Sequence, residues 1–96
     1  MQFLVLSRRR TDVFPPEAWT PELLEAEGQR VRELYSAGTI RNVWRRKDTP
    51  GAAIIMEAGS EDEVRAAAGS LPLAQRGMLE IVALTQLDPY PGFGPR

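Results

Sequence analysis

The stretch Thr39-Ile40-Arg41-Asn42-Val43-Trp44-Arg45-Arg46-Lys47-Asp48-Thr49-Pro50-Gly51-Ala52-Ala53-Ile54-Ile55-Met56-Glu57 decides the fold. Two β-rich runs, 39–46 and 52–57, flank a turn that ends in Pro-Gly, and together they read as a hairpin. A helix with its own start signal lies on each side. Upstream, Thr20 offers a hydroxyl cap, Pro21 takes the first helical position and Glu22 puts an acid in the first turn. That helix runs to about Ala37 and stops at Gly38, which suits a left-handed cap. Downstream, Ser60-Glu61-Asp62-Glu63 has the capping-box pattern and opens a short helix carrying Val64, Ala67, Ala68 and Leu71, which Pro72 ends. A strand precedes the first helix, Gln2 to about Arg8, and another follows the second, Gly77 to Leu87. Apolar residues on both faces of the first strand (Phe3 and Val5, Leu4 and Leu6) predict an interior place in the sheet. The order β-α-β-β-α-β predicts an α+β, ferredoxin-like domain: a four-stranded antiparallel sheet with both helices on one face.

Composition narrows the chemistry. The chain has 96 residues, 12 Lys+Arg against 13 Asp+Glu, and neither His nor Cys. One domain over residues 1–88 is expected, followed by a Pro/Gly-rich arm, 89–96. Without His or Cys there is no thiolate or imidazole to ligate a metal, no disulfide and no His-assisted nucleophile. Catalysis would fall to carboxylates, Arg, Lys, Tyr, hydroxyls or backbone groups, and no cofactor is expected. A net charge of −1 argues against a nucleic-acid partner, which normally meets a basic excess. The charges Arg8-Arg9-Arg10 follow the first apolar run instead of preceding it, unlike a signal peptide, and no run is long enough to cross a bilayer. A soluble cytoplasmic protein with no membrane association is therefore expected.

One carboxylate sits where a solvated residue would not. On a wheel of about 100° per residue with Leu23 at zero, Leu34, Val31, Leu24 and Tyr35 form an apolar stripe. Glu25, Gln29, Arg32, Glu33 and Ser36 lie opposite, but Glu27 falls at about 40°, inside the stripe. Such a group must be partnered, protonated or lining a pocket. A desolvated carboxylate can act as a general base near neutral pH on a carbon next to a carbonyl. The structural alternative is a salt bridge to Arg30 or Arg41. Gly28 beside it either allows close approach of helix and sheet or leaves room for a ligand. Strict alternation along 39–46 sends Arg41, Val43 and Arg45 to one face, and Ile40, Asn42, Trp44 and Arg46 to the other. Arg41 and Arg45 could hold an anionic substrate, or could be edge-strand charges that oppose aggregation. Ser7 and Tyr35 are further polar pocket candidates, whereas Arg8-Arg9-Arg10 reads as a solvated loop.

Residues 27–89 resemble the muconolactone Δ-isomerase family. The resemblance rests on a first-helix Glu (Glu27), Ala37-Gly38-Thr39, Trp44-Arg45 in the next strand, the acidic helix from Ser60, Leu71-Pro72-Leu73, Met78, and a last strand ending near Pro89. It implies a dimeric α+β barrel, often a larger homo-oligomer, and a cofactor-free enzyme that moves a proton to shift a double bond in a small lactone. Position by position it implies Glu27 as the catalytic group, with Trp44 and Arg45 in the substrate site; Tyr35 and Arg41 are the further binding candidates. Ile40 stands where the resemblance leads one to expect Trp, so the substrate need not be muconolactone. The uncovered sheet face is expected to pack against a second copy. Two other readings stay open: a non-catalytic ligand-binding or assembly module, and a cofactor-free monooxygenase of the same barrel class, which Trp44 and Asn42 admit.

Overall fold

The computed structural model describes residues 1–93. The strands are β1 (Gln2–Arg9), β2 (Ile40–Arg45), β3 (Ala52–Glu57) and β4 (Leu79–Leu87), and the helices are α1 (Pro21–Ser36), α2 (Glu61–Gly69) and α3 (Pro72–Gln75). All neighbouring strands run antiparallel in the order β2-β3-β1-β4, which places β1 inside the sheet. This is the expected α+β, ferredoxin-like arrangement. The expected arm, 89–96, is described only to residue 93, with residues 94–96 outside the described residues; Tyr90 and Phe93 are exposed.

Local chemistry sets the element ends. The Thr20 hydroxyl accepts from the Leu23 N–H at 3.2 Å, and α1 ends with Gly38 at φ +83° while Thr39 N–H bonds Leu34 C=O. Ser60 caps α2 by accepting from Glu63 N–H, and the Glu63 carboxylate reaches back one residue further than a standard box, to Gly59 N–H at 2.7 Å. Pro72 does more than end a helix. It is the first residue of α3, an element the sequence reading lacked, because a proline that blocks one helix is also preorganised to start the next.

The core lies between the sheet and the helices. Phe3, Val5, Ile54, Met56 and Ile40 from the strands meet Leu34, Val64, Ala68 and Leu71, all nearly inaccessible to water. Leu4 and Leu6 on the other face of β1 are half-buried and Val82 is exposed, so that face is left open in the single chain. Tyr35, expected in the apolar stripe, is 63% exposed at its edge.

Strict alternation fails in β2. Ile40 pairs with Met56 but Asn42 pairs with Ile55, so the strand carries a bulge at Arg41. The extra residue resets the period, and Ile40, Val43 and Arg45 share the helix-facing side. A second irregularity separates Leu6 from Ser7 where β1 meets β4. The hairpin turn is pressed against β1: Arg9 N–H bonds Pro50 C=O at 2.9 Å, and a Cβ on Gly51 would lie 2.2 Å from the Ser7 carbonyl oxygen. Gly51→Ala should therefore cost about 2 kcal/mol or more, read as a lower urea midpoint with little change in slope.

Candidate active site

Glu27 projects from the buried side of α1 and is 9% exposed. Its partner is neither Arg30 nor Arg41. Arg30 instead bonds Ser70 Oγ and Glu33. Glu27 Oε1 accepts from the Leu73 backbone N–H at 2.9 Å, across 46 positions in sequence. That amide stands in the first turn of α3, where no intrahelical acceptor exists, so the carboxylate satisfies a donor that the helix cannot. Among the described residues no buried side-chain oxygen is without a partner, and none of them bonds Glu27 Oε2. Oε2 therefore keeps some exposure, and Glu27 lines the cavity beside it.

That cavity has a volume of about 340 Å³ between α1 and the helix-facing side of β1–β3. Leu24, Val31, Val43, Ile54, Leu71 and Leu79 give it apolar walls, while Ser7, Arg9, Glu27 and Arg45 supply the polar groups. Apolar walls with a few convergent polar groups are what an organic ligand of modest size needs. Gly28 also lines it. A Cβ there would approach only the flexible Arg32 guanidinium and no atom of the sheet, so of the two readings of this glycine the space favours room for a ligand.

The sequence candidates divide. Glu27, Ser7, Arg45 and Trp44 border the cavity, Trp44 while 56% exposed. Arg45 makes no side-chain hydrogen bond or ion pair with the described residues. Arg41 and Tyr35 lie elsewhere, around a depression with Ser36, Gly38 and Ile40. The bulge accounts for Arg41, since it takes that residue out of the alternation that Val43 and Arg45 follow.

Arg9 was missed. Read as part of a solvated loop, it is the last residue of β1, and it lines the cavity with its guanidinium 5.9 Å from the Trp19 ring centre. The signal was available: extending the period of Phe3, Val5 and Ser7 by one step puts Arg9 on the same face.

These neighbours set the Glu27 charge. Burial pushes its carboxyl above the usual carboxylate value, while the Leu73 amide and the positive charge of Arg9 pull it back. The folded state thus holds the proton more tightly than the unfolded chain. Stability from this group is present in full below the ordinary value and is lost as pH rises through the raised one. Glu27→Gln keeps an acceptor for Leu73 and removes the charge. It should gain about 0.5 kcal/mol or more at neutral pH and flatten the pH dependence between those two values, as measured by urea unfolding across pH.

The family model described as muconolactone delta-isomerase matches residues 1–91. A crystal structure of muconolactone isomerase superposes with a TM-score of 0.75 at 22% identity, covering 96% of this chain and 93% of that one. The 5-chloro-2-hydroxyhydroquinone dehydrochlorinase of Burkholderia phenoliruptrix AC1100, solved with 2,5-dihydroxybenzoquinone, superposes with a TM-score of 0.65 at 20% identity, covering 92% and 94%. These two likenesses establish the shared fold. No curated protein matches significantly. With all but five residues of its length matched by the model, the chain belongs to the muconolactone delta-isomerase family.

Proposed function

We propose that the protein is a cofactor-independent isomerase that moves a proton within a small unsaturated lactone or related carbonyl compound. The observation that carries this reading is the buried Glu27 carboxylate, held through Oε1 by the Leu73 amide, lining a cavity that Arg45 also lines. The ionised carboxylate would take a proton from the carbon next to the carbonyl. The C–H electron pair becomes an enolate conjugated with the existing double bond. Arg45 would face the oxygen where negative charge develops, or a carboxylate on the substrate. Glu27, now protonated, returns the proton to the far end of the conjugated system, and the double bond has moved. Atoms and electrons balance without any outside reagent. Trp44 would form part of the wall. Family membership supports the same class of chemistry, and aromatic-compound breakdown is its natural setting.

The test is turnover of a panel of unsaturated lactones by wild type, Glu27→Gln and Arg45→Met. Glu27→Gln should lower kcat by about 10²- to 10⁴-fold, and Arg45→Met should lower kcat/KM by about 10-fold or more. The wild-type rate should fall as pH drops through the raised Glu27 value, since the base must be ionised. Equal rates in wild type and Glu27→Gln would remove Glu27 from the mechanism, and no turnover by wild type would leave a binding module.

The assembly proposed with this function is a homodimer or larger homo-oligomer in which the uncovered sheet face packs on a second copy. Leu4, opposite Ile55, and Leu6, opposite Ala53, lie at its centre. Charging that centre should block association, so Leu6→Glu is expected to sediment as a monomer while wild type sediments as a multiple. A monomeric wild type would defeat the assembly.

A further inference from the structure

Three consecutive arginines stand at the end of β1, and each is tethered differently. Arg8 pairs with Asp12 at 2.9 Å and with Glu80 at 3.3 Å. Arg10 donates to the Gly77 carbonyl at 3.1 Å. Arg9 makes no ion pair among the described residues, and its guanidinium carbon lies 5.9 Å from the centre of the Trp19 ring. The difference matters because, of the three, Arg9 alone lines the cavity that Glu27 lines. A carboxylate partner would cancel the Arg9 charge and set a second anion near Glu27, which would favour protonating it. An aromatic face attracts a guanidinium and leaves its charge in place. Trp19 is itself fixed. Its Nε1–H donates to the Phe14 carbonyl at 3.3 Å, the Phe14 ring meets it edge-on at 6.4 Å, and it packs on the cluster of Leu23, Leu73 and Met78. The Arg9 backbone is held as well, through its N–H bond to Pro50.

Of the elements packed around Glu27, β1 brings Arg9 to the cavity and β2 brings Arg45, whereas β4 contributes Leu79 and α3 the Leu73 amide. On α1 itself Arg30 pairs with Glu33 and Arg32 with Glu25, while Glu22 and Arg76 border a separate hollow. The charge of Arg9 favours the ionised Glu27 carboxyl. We infer that Trp19 is a positioning residue: it holds the uncompensated Arg9 guanidinium at the cavity wall, and through Arg9 it keeps Glu27 in the form able to take a proton. The loop of residues 10–20 thereby sets the pH range of a cavity that it does not line. The consequence for the reaction rests on the proposed role of Glu27, and the coupling itself on the geometry around Arg9.

Carboxyl NMR of protein labelled at its glutamate side chains tests the coupling without turnover, and Glu27→Gln identifies the Glu27 signal by removing it. Arg9→Met should move the Glu27 titration midpoint to higher pH, and so should Trp19→Leu. In the Arg9→Met background Trp19→Leu should move it no further, because its effect passes through Arg9. Trp19→Phe keeps an aromatic face and should stay closer to wild type than Trp19→Leu does. Val64→Ala, a core truncation in α2, should lower the melting temperature and leave the midpoint in place. An unmoved midpoint in Arg9→Met or in Trp19→Leu, or a Trp19→Leu shift that persists in full without Arg9, would overturn the inference. If Trp19→Leu does not fold, the other two single variants decide, and a Trp19→Phe midpoint as high as that of Arg9→Met is equally fatal. The acid limb of kcat/KM on the lactone panel should follow the NMR midpoint in each variant. A limb that stays put while the midpoint moves removes Glu27 as the base and leaves the coupling standing, so the two failures are separable.

Discussion

Burying one carboxylate is the constraint on which the helix layer depends. A charged group taken from water must find donors or lose its charge, and Glu27 finds one in the Leu73 amide. The bond joins the middle of α1 to the start of α3 and satisfies two otherwise costly groups at once. Around it pack Leu23, Leu73 and Met78 as a satellite of the main core. One carboxylate oxygen is thereby fixed, so the contact that anchors the helices also holds Glu27 at the wall of the cavity.

The cavity exists because helix and sheet do not meet along their whole length. Where Ile40, Met56, Phe3 and Leu34 meet, the packing is closed. Toward Ser7, Arg9, Arg45 and Ala52 the sheet carries polar or small side chains, and Gly28 gives α1 no side chain to fill the gap. The Gly51 contact with β1 brings the hairpin turn against the same end, which sets the basic turn residues beside the cavity mouth. Apolar depth and positive charge at the rim follow from this one asymmetry.

Much of the candidate site was legible before any coordinates. Glu27 stood out on the wheel because a carboxylate among Leu23, Val31 and Leu34 breaks the helical period. Arg45 and Trp44 were legible from the strand and from the family resemblance. Arg41 and Tyr35 were misplaced for different reasons. The bulge takes Arg41 out of strict alternation, and Tyr35 lies at the margin of a stripe whose width the wheel does not define. Arg9 was lost by ending the strand one residue early, where three consecutive arginines look like loop.

Residues alone sufficed for the order of elements, the helix caps at Thr20 and Ser60, the interior strand, the antiparallel α+β sheet and the exclusion of His and Cys chemistry. These rest on interactions within a few residues or on the period of apolar side chains, and both are written locally. Folding in three dimensions decided the rest: the partner of Glu27, the seating of Arg9 against Trp19, the reset of β2, and the role of Pro72 in starting α3. A bulge depends on how two strands share their hydrogen bonds, and a contact across 46 positions depends on how helices settle over a sheet. Neither leaves a mark on any single stretch of chain, because the energy that selects it is shared between segments that meet only after folding.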